Sequence, residues 1–248
     1  MQDALSLVAV FAIGIAAGAI GAMVGGGSLL SIPLLIFLGL PAPVAIATDR
    51  FAGLGAACTA GFRYWRAGSI VWRWVPLLGA ASGVGALLGA NLLVRTDAAR
   101  LEPIIGLLVL LLLPVLFVRP TFGVEARDTR RSWQFAGFGL YFAIQLLTGF
   151  FGAGTGPLVF TTLMACFGLT IVQAVATQVV PFLLLTVASV FVFGSHGIID
   201  YRMGIALLLG TAVGGSFGAK LAIERGAGWV RRVFAVIVAL SALRLLIR

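Results

Sequence analysis

Two glycine-rich clusters hold residues of this chain that are well suited to binding a ligand. The members of the two clusters are Gly25, Gly26, Gly27 and Ser28, then Gly154, Thr155, Gly156 and Pro157. Glycine clusters within apolar sequence break a helix and free backbone N–H groups. A short helix that begins at Ser28 or Pro157 directs its N-terminal amides and the positive end of its dipole towards the break. Two such ends predict a binding site for an anion.

A second set of polar residues follows about twenty positions after each cluster. The set consists of Thr48, Asp49, Arg50, Thr177 and Gln178. A threonine hydroxyl in the first turns of a helix can bond a ligand or cap the backbone. Asp49 and Arg50 are ionisable residues within an apolar stretch, and such residues usually serve function by facing a partner or a water-filled cavity. The alternative is an interfacial position, with Arg50 reaching the lipid headgroups.

Both sets repeat at a spacing of 129 residues, without a gap. Gly25 falls on Gly154, and Thr48 falls on Thr177. Further pairs are Gly27 with Gly156, Gly68 with Gly197, Gly85 with Gly214, and Gly89 with Gly218. The last two pairs have the small-xxx-small spacing that is typical of helix packing faces. Two copies of one hydrophobic unit indicate a secondary transporter whose substrate site lies between the repeats.

Composition assigns the chain to the membrane. Its residues are 61% hydrophobic and 10% charged, and the mean hydropathy is +1.14, whereas a soluble domain carries about 25% charge. The net charge of +9 does not indicate nucleic acid binding, because most basic residues flank apolar runs, where they orient a membrane protein. No nucleic acid partner, cofactor or metal site is expected, and the lipid bilayer is the expected surrounding.

The apolar runs predict an all-α polytopic membrane protein of two homologous repeats. Long runs cover 5–24, 44–62, 72–94, 101–118, 133–153, 172–193, 203–222 and 229–247, and short ones cover 29–38 and 158–167. Each repeat thus has about four long helices plus one short broken or re-entrant helix. Residues 1–118 form the first transmembrane repeat, 119–133 a polar linker, and 134–248 the second repeat. We expect inverted repeats, because they supply two interconvertible half-assemblies for alternating access; parallel repeats follow if the short helix turns back.

The order of these motifs resembles one known family. The first half carries Gly18-x-x-Gly21, the Gly25–Leu30 stretch Gly-Gly-Gly-Ser-Leu-Leu, Gly-Leu-Pro at 39–41, and Ala-Ile-Ala-Thr at 45–48; the second has Gly152-x-Gly154-x-Gly156-Pro157 and Ala-Val-Ala-Thr at 174–177. In this order the motifs resemble the TauE/SafE (sulfite exporter) family of permeases, over nearly the whole chain. The resemblance implies a multi-pass carrier in the cytoplasmic (inner) membrane of a prokaryote. Its expected substrate is a small sulfur-containing anion, such as sulfite, sulfoacetate or another organosulfonate.

The leading hypothesis is therefore an anion transporter rather than an enzyme. The amides near Gly27, Ser28 and Gly156 would hold the anion, with Thr48, Thr177, Gln178 and Arg50 adding donors. Asp49 and Arg50, like Gln178, stand where the family commonly has small or hydroxyl residues. Two alternatives are an intramembrane serine hydrolase that uses Ser28 and His196, and a passive anion channel. A coupling proton or sodium ion and assembly into a homo-oligomer stay open.

Overall fold

The described part of the chain is built from eight helices. The computed structural model describes residues 2–96, 129–152 and 154–246. In chain order the helices are α1 (Gln2–Val24), α2 (Ser28–Phe37), α3 (Ala42–Arg66), α4 (Val75–Arg95), α5 (Arg131–Phe150), α6 (Gly156–Phe167), α7 (Ile171–Ser195) and α8 (Tyr201–Leu246). The predicted all-α class is confirmed. The predicted run 101–118 and most of the linker 119–133 lie outside the described residues.

Helix length separates spanning helices from short ones. Four stretches of the described helices are long and apolar enough to cross a membrane, namely Ser6–Val24, Val75–Arg95, Ile171–Ser195 and Tyr201–Val230. Helices α3 and α5, with 25 and 20 residues, reach the same length with a more polar sequence. Helices α2 and α6 have 10 and 12 residues. At 1.5 Å per residue these two cover about half of a hydrocarbon core of about 30 Å.

Glycines with positive φ set the turns at equivalent places in the two halves. The pairs are Gly25 and Gly154 (φ 74° and 77°), Gly39 and Gly168 (95° and 71°), and Gly68 and Gly197 (63° and 65°). Members of each pair are 129 residues apart. Such φ values strain residues that have a Cβ atom, so glycine is the residue these turns require. A further glycine of this kind, Gly226 (φ 69°), interrupts α8 between the predicted runs 203–222 and 229–247.

The long helices pack in an exchanged arrangement between the halves. Helices α1 and α3 pack against α8, while α5 and α7 pack against α4. Glycines allow the close approach: a Cβ atom at Gly89 would lie 2.6 Å from the backbone nitrogen of Phe150, and one at Gly218 would lie 2.8 Å from the Cα atom of Ala19. The packing interpretation of these glycines is confirmed.

Two hydrophobic clusters of the described residues form the core, and α3 contributes to both. One cluster contains the start of α3, including Ala45 and Ile46, together with Val10 of α1. The other contains the end of α3, at Ala60 and Tyr64, and the last turn of α1. Asp49 and Arg50 lie between Ala47 and Ala52 of the first cluster, and both are buried.

Candidate binding site

A cavity of about 120 Å³ lies where the two glycine-rich breaks meet. A Cβ atom at Gly25 would lie only 2.7 Å from the Cα atom of Gly156, so the two breaks touch. The predicted site residues that line the cavity are Gly25, Gly27, Ser28, Asp49, Arg50, Thr155, Gly156 and Gln178. Since a water molecule needs about 30 Å³ of liquid volume, the cavity has room for several waters or one small organic ion.

Four predicted site residues lie outside the cavity lining. Gly26 and Gly154 are in the same breaks without lining the cavity. The buried hydroxyl of Thr48 accepts a hydrogen bond from the backbone N–H of Asp200 at 3.0 Å. The buried hydroxyl of Thr177 accepts one from the N–H of Val71 at 2.9 Å. Thr48 and Thr177 are equivalent positions 129 residues apart, and so are Val71 and Asp200. Each threonine therefore caps the equivalent turn of the other half.

The Arg50 side chain is buried and extends across the cavity to α5. Only 3% of the residue is exposed. Its Nη2 atom donates a hydrogen bond to the carbonyl oxygen of Thr148 at 2.5 Å, and its guanidinium carbon lies 5.9 Å from the ring centre of Phe182. Its Nε atom is buried and has no hydrogen-bond partner in the part of the chain that the structure describes. The alternative of an interfacial Arg50 that reaches the headgroups is therefore wrong.

Gly152 makes room for this guanidinium. A Cβ atom at Gly152 would overlap the Nη2 atom of Arg50, and the φ angle of Gly152 is 82°. Both steric space and backbone conformation therefore require glycine here. The position belongs to the motif that resembles the TauE/SafE family, and the structure adds the reason for it.

Asp49 brings a carboxyl group to the same cavity. The residue is 8% exposed, and its Oδ1 atom accepts a hydrogen bond from the hydroxyl of Ser31 on α2. Within residues 2–96, 129–152 and 154–246, no ion pair joins Asp49 to Arg50. The two side chains have different hydrogen-bond partners, Ser31 for the carboxyl group of Asp49 and Thr148 for the guanidinium of Arg50.

Sequence reasoning missed a hydrogen-bonded network that forms another wall of the cavity. Tyr141 donates its hydroxyl proton to the Oε1 atom of Gln178 at 2.7 Å. The Nε2 atom of Gln145 donates to the Tyr141 oxygen at 2.8 Å and also to the Ser82 hydroxyl. Gln145 and Gln178 line the cavity. Because Tyr141 and Gln145 are four residues apart on α5, their common helix face was a signal that the sequence offered.

The N-termini of α2 and α6 border the cavity without a side-chain cap. At α2, the amides of Leu29 and Leu30 donate to the carbonyl oxygens of Gly26 and Gly27 at 3.1 and 2.9 Å. The groups that can face a ligand are therefore the amides that precede Leu29. The helix end still contributes its positive dipole to the cavity.

His196 lies elsewhere. It is exposed at the end of α7 and its Nδ1 atom is 2.8 Å from the carbonyl oxygen of Val192. The residue is not part of the cavity lining, whereas Ser28 is. A nucleophile and its base must come within hydrogen-bond reach, so these two residues do not form a hydrolytic pair.

Spanning helices around a buried polar cavity define a polytopic membrane protein of the transporter class. The family model "Sulfite exporter TauE/SafE" matches residues 10–245, and the chain belongs to this family of membrane transporters. The predicted resemblance is confirmed, and the chain is not an enzyme.

Curated relatives agree with this assignment. The chain is 27% identical to a "Probable membrane transporter protein" of Haemophilus influenzae, over 93% of the chain and 91% of the relative. It is 25% identical to "Probable membrane transporter protein YfcA" of Escherichia coli, over 99% and 91%. It is 28% identical to "Probable membrane transporter protein YdhB" of Bacillus subtilis, over 87% and 89%. No solved structure matches the chain.

Proposed function

We propose that this chain is a secondary transporter that moves a small sulfur-containing oxyanion across the cytoplasmic membrane. Sulfite, sulfoacetate and other organosulfonates form the substrate class, which the family description supports. The cavity, which residues of both halves line, is the substrate site. The observation that carries the proposal is the buried Arg50, which lines this cavity and whose Nε–H group has no partner among the described residues.

The chemistry of the cavity suits an oxyanion. Arginine donates strong hydrogen bonds to carboxylate, phosphate and similar oxygens. The N-terminus of α2 adds a partial positive charge, and Thr155 and Gln178 add polar groups. Because the surroundings are apolar helices, these electrostatic interactions are stronger than they would be in water. Binding through hydrogen bonds alone is reversible, as transport requires.

Helix directions support inverted repeats and, with them, alternating access. Helices α4 and α5 run the same way, since Gly85 faces Gln145 and Gly89 faces Phe150. Helices α4 and α7 also run the same way, with Val71 bonded to Thr177 just before α4 and Gly79 facing Leu184 further along.

Helices α3 and α7 run in opposite directions, because Gly53 faces Thr186 while Gly61 faces Val179. Helix α3 runs with α8, and so does α1, in which Gly14 faces Leu207 and Gly18 faces Thr211. Helices α1 and α5, which are the first helices of the two repeats, are therefore antiparallel. Antiparallel repeats are the arrangement in which exchange of the two half-conformations opens the site to alternate sides.

Thermal stability in detergent tests the proposed site. We expect sulfite or a small sulfonate to raise the melting temperature of the parent protein, since a ligand at 100 times its Kd stabilises the folded state by about 2.7 kcal/mol. Arg50→Ala should abolish the shift. Arg66→Ala is the matched control, because Arg66 is an exposed arginine of the same helix, and it should keep the shift.

Two outcomes would contradict the proposal. One is that no anion among sulfite, thiosulfate, sulfoacetate and simple sulfonates stabilises the parent protein. The other is that Arg50→Ala retains the full shift while it remains folded, which would move the anion site away from this cavity.

A further inference from the structure

Gln145 has an unused hydrogen-bond acceptor beside the cavity. The residue is fully buried, it lines the cavity, and its Oε1 atom has no hydrogen-bond partner in the described chain. A buried acceptor that stays unpaired costs about 1–3 kcal/mol. A group that enters the cavity with a donor would remove this cost.

The proton of Tyr141 fixes the orientation of the Gln145 amide. Tyr141 has one hydroxyl proton and gives it to the Oε1 atom of Gln178. Its oxygen must therefore accept from Gln145, so the Nε2 atom of Gln145 faces Tyr141. The second proton on Nε2 is directed at the Ser82 hydroxyl. The Oε1 atom is consequently the end of the amide that remains for a ligand.

The unpaired acceptor of Gln145 and the unpaired donor of Arg50 belong to residues that line the same cavity. The guanidinium of Arg50 is bonded to the carbonyl oxygen of Thr148 at 2.5 Å. Thr148 follows Gln145 by three residues on α5, which corresponds to a rise of about 4.5 Å. A single ligand in this cavity can therefore contact both residues.

We infer that the ligand of this cavity is an oxyanion that also carries a hydrogen-bond donor, and that Gln145 selects it by accepting from that donor. This inference rests on the proposed anion-transport function and narrows its substrate class. The oxyanion end accepts from Arg50, and a hydroxyl or N–H group at the other end donates to Gln145. Oxyanions of the same size and charge that lack the donor leave the glutamine acceptor unpaired and bind less tightly.

A matched pair of ligands tests this inference by calorimetric titration of the purified, detergent-solubilised protein. The compounds 2-hydroxyethanesulfonate and propane-1-sulfonate have the same charge and the same number of heavy atoms, and they differ only in a hydroxyl against a methyl group. We expect the parent protein to bind 2-hydroxyethanesulfonate about tenfold more tightly, because only this compound can donate a buried hydrogen bond to Gln145.

The variant Gln145→Met should remove the preference for the hydroxy compound while keeping the length of the side chain. The hydroxyls of Ser82 and Tyr141 can still bond each other at 2.8 Å, so the network retains one of its links. Gln134→Met is the control, because Gln134 lies on the same helix and bonds Thr129 instead; it should leave both affinities unchanged.

The outcomes separate the two proposals. If the parent protein binds both sulfonates equally well, a water satisfies Gln145 and the inference is wrong, while the anion-transport proposal stands. If the Gln145→Met variant still prefers the hydroxy compound, the inference is also wrong, since another group then accepts the hydrogen bond from the ligand. If neither sulfonate binds, the proposed site itself fails. Should Gln145→Met not fold, the comparison of the two ligands on the parent protein still decides.

Discussion

At the scale of single residues, the account depends on how a full charge is held inside the membrane. An isolated buried guanidinium is costly unless it is hydrogen-bonded. In this chain the carbonyl oxygen of Thr148 takes one donor, Phe182 lies beside the guanidinium, and Gly152 leaves space for it. The Nε–H group has no partner among the described residues, and we propose that it binds the ligand while the bond to Thr148 holds the side chain in place.

Gly152→Ala should therefore disturb both stability and binding. A Cβ atom there is strained by the φ of 82° and overlaps the Arg50 guanidinium, so we expect a loss of about 2–3 kcal/mol in the free energy of unfolding, together with loss of sulfonate binding. Gly39→Ala is the matched control: its φ is 95° but no atom lies within 4 Å of the added Cβ. It should cost about 1 kcal/mol and leave binding intact.

Chemical denaturation in detergent measures the first effect and titration with 2-hydroxyethanesulfonate measures the second. If Gly152→Ala and Gly39→Ala have the same effect on stability and binding, Gly152 is needed only for the backbone conformation of its turn and does not position Arg50.

The sequence predicts those site residues whose type is unusual within an apolar run. It does not predict those whose hydrogen-bond partners lie on another helix. Arg50 and Asp49 are charges in apolar sequence, and Gln178 is a polar residue at the repeat position of Asp49. Ser82 and Gln145 are uncharged polar residues in long apolar runs. Their role in the hydrogen-bonded network becomes apparent only because α4 and α5 pack together. Helix packing across the linker was not available from the sequence.

At the scale of helices, two threonine hydroxyls form hydrogen bonds between the two halves of the chain. The hydroxyl of Thr48 in α3 accepts a hydrogen bond from the turn before α8. The hydroxyl of Thr177 in α7 accepts one from the turn before α4. The repeat predicted that these positions are equivalent. Their use as caps for the other half depends on the exchanged packing, which the repeat spacing does not reveal.

Thr48→Val and Thr177→Val should each lower the free energy of unfolding by about 1–2 kcal/mol, because the N–H group of Asp200 or Val71 loses its acceptor. Substrate affinity should change less than twofold, since neither threonine lines the cavity. Thr161→Val is the control: its hydroxyl bonds Pro157 within its own helix at 2.8 Å. Loss of sulfonate binding in a folded Thr48 or Thr177 variant would instead establish the threonine as a ligand.

At the scale of the whole molecule, inverted repeats require equivalent turns on opposite faces of the membrane. Ala67 and His196 are 129 residues apart, and both are exposed in the turns that follow α3 and α7. Cysteines placed there singly, in a chain with the exposed Cys58 replaced by serine and Cys166 left buried, should react with an impermeant maleimide from opposite sides of sealed vesicles.

Reaction of Ala67→Cys and His196→Cys from the same side would establish parallel repeats. The apolar runs do not determine how many times each repeat crosses the membrane. Helices α2 and α6 are too short for their length alone to show whether they cross. Contacts between the long helices supply the missing directions.

Counterflow in proteoliposomes tests the central claim most directly. Vesicles loaded with unlabelled 2-hydroxyethanesulfonate would be given a trace of labelled compound outside, with Arg50→Ala and Arg66→Ala vesicles in parallel. A carrier with its site at Arg50 predicts transient accumulation of label above equilibrium in the parent and Arg66→Ala vesicles and none with Arg50→Ala. Label that equilibrates without an overshoot in parent vesicles would contradict alternating access and indicate a passive channel.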